Sequence, residues 1–111
     1  MGQLRYGSNP DPIILDDRLL WHLKVVIVSK LRRQEPFSFS WTDKSGSSGA
    51  ERSSIWLHPA SDLRFDWSTR NEGSLNKAWL ESLMLAANSS AGLSDLAEPA
   101  AAAVRSAGRS N

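Results

Sequence analysis

"DDRLLWHLKVVIVSKLRRQEPFSFSWTD", residues 16–43, decides the fold. If its first part is a helix, the strands on either side need a helix-covered sheet. If it is a strand, the chain is nearly all β. The β-branched run Val25-Val26-Ile27-Val28 favours strand locally. Against it, at about 100° per residue, Leu20, Leu23, Ile27 and Leu31 fall on one stripe, with Arg18, His22, Ser29 and Arg33 on the opposite side. Asp16 and Asp17 suit the start of a helix, and Lys30, Arg32 and Arg33 suit the negative end of its dipole. The stretch therefore predicts a helix, closed by Pro36, whose ring drives its predecessor out of the α region. Beyond Pro36, Phe37, Phe39 and Trp41 alternate with Ser38, Ser40 and Thr42, the period of a half-buried strand.

Outward from this stretch, "QLRY" (3–6) and "IIL" (13–15) read as two short strands joined by the turn cluster "GSNPDP". "KSGSSGAERS" (44–53) reads as a connector. "SIWLH" (54–58) and "DLRFDW" (62–67) read as strands split by "PAS", completing a meander with 37–43. "LNKAWLESLMLAANSSA" (75–91) carries a second helical stripe of Leu75, Trp79, Leu83 and Ala86, widened by Leu80, Met84 and Ala87. Ser74 is the expected cap and Gly92 the stop.

The order is ββαβββα. It predicts an α+β two-layer sandwich, an antiparallel sheet of about five strands with two helices on one face. The inner face would carry Leu4, Tyr6, Phe37, Phe39, Trp41, Ile55, Leu57, Leu63, Phe65 and Trp67. The outer face would carry Arg5, Ser38, Ser40, Thr42, Trp56, His58, Arg64 and Asp66. Residues 1–93 form the expected single domain, and the Ala- and Ser-rich 94–111 an expected disordered tail.

The chain has 111 residues, room for one small domain, and five tryptophans to fill its core. Net charge is +1, so no global field draws polyanions. There is no cysteine, which rules out disulfides and thiolate metal sites and fits a cytoplasmic location. The first residues lack an apolar leader, and the longest apolar run is far short of a bilayer span, so no membrane partner is expected.

Residues 18–33 hold Arg18, Lys24, Lys30, Arg32 and Arg33 and no acid. Arg18, Lys30 and Arg33 lie within about 120° on the helix, a candidate phosphate-contacting face and hence a candidate for nucleic acid. The plainer reading is a helix end with dipole-complementing charge. Trp56, expected on the wet sheet face with His58 and Arg64, makes a second candidate surface. It could be covered locally, form a protein or homodimer contact, or stack a base. Neither His22 nor His58 has metal-ligand spacing, so no metal or cofactor is expected, and no catalytic residue is assigned. The competing enzyme reading uses His58, Arg64 and Asp66, roofed by a partner subunit, with Lys24 as a desolvated nucleophile.

"MGQLRYGS", residues 16–41, "SSIWLHPASDLRF" and "LNKAWLESLMLAANSSAGL" together resemble a family of small actinobacterial proteins, a domain of unknown function. Its members often carry the label ATP-dependent DNA ligase. The resemblance spans residues 1 to about 93 and implies an accessory role near DNA transactions. A ligase adenylates the lysine of K-x-D-G, and Lys24, Lys30, Lys44 and Lys77 all lack the Asp and Gly that should follow. The expectation is thus a non-catalytic accessory or interaction domain, associated with nucleic acid or with a protein.

Overall fold

A computed structural model describes residues 1–8, 11–43, 51–69 and 74–99. The elements are β1 (Gly2–Tyr6), β2 (Ile13–Leu15), α1 (Asp17–Arg32), β3 (Phe37–Asp43), β4 (Glu51–Leu57), β5 (Leu63–Asp66), α2 (Lys77–Ala87) and β6 (Leu93–Ser94). Of the expected connector 44–53, residues 44–50 lie outside the described residues and 51–53 instead begin β4, whose register with β3 runs back to Glu51. Most of the expected tail, 100–111, also lies outside the described residues. The fold is α+β, as the binary pattern requires, and the 3.6-residue period of α1 overrides its β-branched run.

The single five-stranded sheet is not what forms. The described residues form two three-stranded sheets, ordered β2-β1-β5 and β4-β3-β6. The β1–β2 and β3–β4 hairpins pair antiparallel as expected, but β5 leaves the meander and pairs with β1. The chain reverses at 58–61, where the Ser61 amide donates to the His58 carbonyl and Pro59 supplies a preset φ. That turn carries β5 off the β4 edge. Leu63 and Phe65 then meet Tyr6 and Leu4 in register. The sixth strand lies parallel to β3, with Phe39 opposite Leu93 and Ser40 opposite Ser94.

Both sheets and both helices bury one face in a common core. Leu4, Ile13 and Leu15 come from one sheet and Phe37, Phe39, Trp41, Ile55, Leu57 and Leu93 from the other. Leu20, Leu23, Val26 and Ile27 come from α1, and Trp79, Leu83 and Ala87 from α2. Ile55 and Leu57 point inward and Trp56 outward, as alternation demands.

The ends of α1 follow standard chemistry. Asp16 caps the N-terminus, its carboxylate accepting from the amides of Arg18 and Leu19. At the C-terminus Gln34 has φ 63°, its amide donates to the Leu31 carbonyl, and the Glu35 amide donates to the Lys30 carbonyl. This is a Schellman closure with glutamine where glycine fits best. Gln34→Gly is therefore expected to stabilise the protein by about 0.5–1 kcal/mol, read by urea denaturation, because it removes the left-handed penalty of a Cβ.

The second helix starts later than its stripe suggested. Asn76, not Ser74, is its cap, and Leu75 lies outside the helix and is exposed. Its C-terminal neighbours are held too. Residues 94–99, placed by sequence in the tail, lie along the body, with the Thr42 amide donating to Asp95 and the Trp79 indole donating to the Leu96 carbonyl.

Candidate functional site

The structure disperses the basic face of α1. Arg18 and Lys30 are twelve positions apart, about 18 Å along the axis. The Arg18 guanidinium makes a two-pronged contact with Glu98, at 2.8 and 2.9 Å. Lys30 is buried. Its ammonium donates to Asn88 Oδ1 at 2.6 Å and pairs with Glu35 at 2.9 Å. Hydrogen bonding by Lys30 holds the Glu35 carboxyl below the usual carboxylate range. Of the three proposed phosphate contacts Lys30 is buried, Arg18 is part-exposed but held by Glu98, and Arg33 is exposed, 3.7 Å from the same Glu35 oxygen. The helical wheel sets these cations on one side of α1, but it could not show that Asn88 of α2 and Glu98 would engage them there.

The sheet-face trio is also divided. Trp56 lies on the outer face of β4-β3-β6 and is 61 % exposed. His58 sits in the turn after β4, where its Nδ1 accepts from the Ala60 amide. Arg64 belongs to the other sheet, beside Arg5 in register, and its Nε donates to Asp66. Of the enzyme set, Arg64 and Asp66 are paired on β5, while His58 is held in the turn after β4. Lys24 stands over the rings of Trp21 and Trp67, 5.6 Å from each centroid. Those two indoles stack at 4.4 Å, and neither buried N–H finds an acceptor among the described residues. Lys24 is a cation resting on an aromatic pair.

What the structure does assemble is a cleft of about 430 Å³ where the C-termini of both helices meet the start of β3. Lys30, Glu35, Ser38, Trp56, Asn88 and Gly92 line it. Asn88 caps α2, so the Lys30 ammonium lies where the negative ends of two helix dipoles converge. Trp56 forms a wall of the cleft, which gives a polar floor beside a large exposed ring. Leu85, 73 % exposed, precedes Ser89 of the cleft by one helical turn. Among the described residues no three His, Asp or Glu side chains are close enough to hold a metal ion.

Sequence reasoning missed one further group. His22, assigned to the outer side of α1, is fully buried. Its Nδ1–H donates to the Arg18 carbonyl and its Nε2 accepts from the Asn76 amide, each at 2.8 Å. Asn76 in turn caps α2 through Oδ1 and donates its amide hydrogens to Glu98 and the Pro99 carbonyl. Hydrogen bonds from Arg18 and then Asn76 hold the Glu98 carboxyl at about 2. This network docks α2 and residues 96–99 on α1. It is a scaffold rather than a reaction site, since His22 is closed to solvent. The Trp79 ring against His22 was the sequence's one clue, a large aromatic in α2 needing a partner in α1.

A protein-family model described as a domain of unknown function, DUF7882, matches residues 1–98. Neither a curated protein nor a solved structure matches the chain.

Proposed function

The chain belongs to the DUF7882 family of domains of unknown function, and for this member we propose a non-catalytic protein-interaction module that works through the outer face of β4 and the cleft beside it. The observation that carries this reading is Trp56, a large aromatic left 61 % exposed on a sheet and set against a polar cleft. A rigid aromatic beside a recess is what anchors protein contacts, since it gains much apolar burial for little lost side-chain freedom. The outer face around it carries the Ser40 and Ser54 hydroxyls, bonded at 2.6 Å, and Arg52, whose charge is paired with Asp95, so it holds little net charge and suits a protein better than a phosphate backbone. The engagement of Arg18 and Lys30 in internal pairs weighs in the same direction. An accessory role beside a DNA ligase, implied by the resemblance, is compatible with recruitment through such a contact.

Panning a phage-displayed peptide library on the wild-type protein tests this. Selected peptides are expected to lose at least about tenfold in affinity on Trp56→Ala, the scale of an anchor residue. The same peptides should bind Arg33→Glu within about twofold, as expected for a charge outside the contact. Ligands indifferent to Trp56 overturn the reading. Ligands lost only on Arg33→Glu return the basic end of α1 to consideration.

A further inference from the structure

Each sheet ends in two edge strands, and the four edges differ greatly. β2 has three residues, β5 four and β6 two. Short edges of this kind offer too few free backbone groups to recruit another strand. β4 has seven, and among the described residues it pairs on one side only, with β3, in an unbroken register from Phe37↔Leu57 to Asp43↔Glu51. It contains no proline and no bulge, the usual devices that blunt an edge.

From this we infer that β4 pairs antiparallel with β4 of a second copy of this chain, joining the two sheets into one of six strands about a two-fold axis at Ser54. The inference rests on the reading of the Trp56 face as a contact surface and names its partner. Ser54 is the central residue of Glu51–Leu57, so this axis pairs the whole strand with itself, and any other axis leaves part of the edge bare.

The axis also sets complementary side chains opposite one another. Arg52, Ser54 and Trp56 all lie exposed on the outer face. About Ser54, Arg52 stands across from the partner copy's Trp56 position, and Trp56 from its Arg52 position. Two guanidinium-on-indole contacts result, with no like charges opposed on that face. In the single chain the Arg52 Nη1 donates to Thr42 Oγ1 at 3.0 Å on β3 and to Asp95 Oδ1 at 3.1 Å just past β6, so the guanidinium, 56 % exposed, must turn from these acceptors toward the free edge to meet the indole.

The absence of cysteine makes a covalent test clean. In a Ser54→Cys chain the two thiols face each other at the axis, with Cα atoms about 4.5–5.5 Å apart, inside disulfide range. A His58→Cys control, exposed just past the end of β4, lies about eight positions from its counterpart, about 26 Å.

The full-length protein is first run by sedimentation velocity at about 2 and 200 μM, and is expected to shift toward twice its monomer mass with concentration. Under mild oxidation Ser54→Cys is then expected to form intermolecular disulfide at least about tenfold faster than His58→Cys. Both variants are checked for native circular dichroism. A monomer at both concentrations overturns self-pairing, while the peptide selection decides the Trp56 reading separately. A concentration-dependent dimer in which the two cysteines react alike overturns this pairing and leaves that reading in place.

Discussion

Gly92→Ala is expected to cost about 3 kcal/mol of stability, the sum of a left-handed backbone penalty and an overpacking penalty. Gly92 has φ +86°. An added Cβ would lie 2.9 Å from the Ser38 carbonyl oxygen and closer still to the Ser38 hydroxyl. The hydroxyl can rotate away, but the carbonyl belongs to the central strand β3 and cannot. Relief must come from moving residues 89–92, and the Gly92 amide bond to the Ser89 carbonyl opposes that. The strain is passed to Leu93, fully buried next to Phe39 in the parallel β3–β6 pairing. Urea denaturation should therefore show a lower midpoint with an unchanged slope. The double variant Ser38→Gly/Gly92→Ala should recover only part of the loss, because the backbone carbonyl and the positive φ remain. Full recovery would assign the whole effect to the Ser38 side chain.

Gly92 also shows how far the sequence could be read. The sequence placed it as the helix stop, whereas α2 ends at Ala87 with Asn88 as its C-cap and Gly92 instead leads into β6. Its close approach to Ser38 was not legible either, because that depends on β6 docking beside β3. Helix α1 was legible because five turns of amphipathic pattern and both end charges agreed against four β-branched residues. The strands were legible for the same reason, and each was assigned its inward face correctly where it could be checked, Trp56 included. Which strand pairs with which was not legible. Leu63 and Phe65 have the alternation of a strand whether they meet β4 or β1, and only the turn at 58–61 and the match with Leu4 and Tyr6 decide.

The surroundings of the candidate residues follow the same rule. Trp56 is exposed as expected because its exposure follows from one strand's alternation. The contacts of Arg18 and Lys30 were not legible because the surroundings of a cation on a helix depend on what packs over it. Glu98 and Asn88 lie 80 and 58 residues away from their partners.

His22 carries the second large effect, and it appears as a pH dependence. The buried imidazole must be neutral. Nδ1 gives its proton to the Arg18 carbonyl, so Nε2 has to stay bare to accept the Asn76 amide. Protonating Nε2 would set two N–H groups against each other. Burial pushes the His22 pKa below its ordinary value, and the Arg18 charge adds to this. The Arg18 carbonyl bond and the Glu98 carboxylate pull the other way, and burial prevails. In the unfolded chain His22 titrates near pH 6.5. Below about pH 7.5 the unfolded state therefore binds more protons than the native state, and stability falls as pH falls, by at most about 1.4 kcal/mol per pH unit for one proton.

A separate window opens lower. The carboxyl of Glu98 is held at about 2, and so is that of Asp17, where burial raises the value but hydrogen bonds from Ser68 and Thr69 lower it further. Stability contributed by these two groups is present above about pH 5 and lost as pH falls toward 2. The two windows can thus be resolved in one titration. Urea denaturation from about pH 7.5 to 5.5 should show a steady decline in the wild type. His22→Gln keeps an acceptor for Asn76 and a donor for Arg18 but cannot titrate, so its stability should be nearly flat over the same range while still falling below about pH 5. His22→Ala, which leaves the Asn76 amide without its acceptor and opens a cavity against Trp79, should lose about 3 kcal/mol at pH 7.5. A decline between pH 7.5 and 5.5 that persists in His22→Gln would show that the proton is taken up elsewhere.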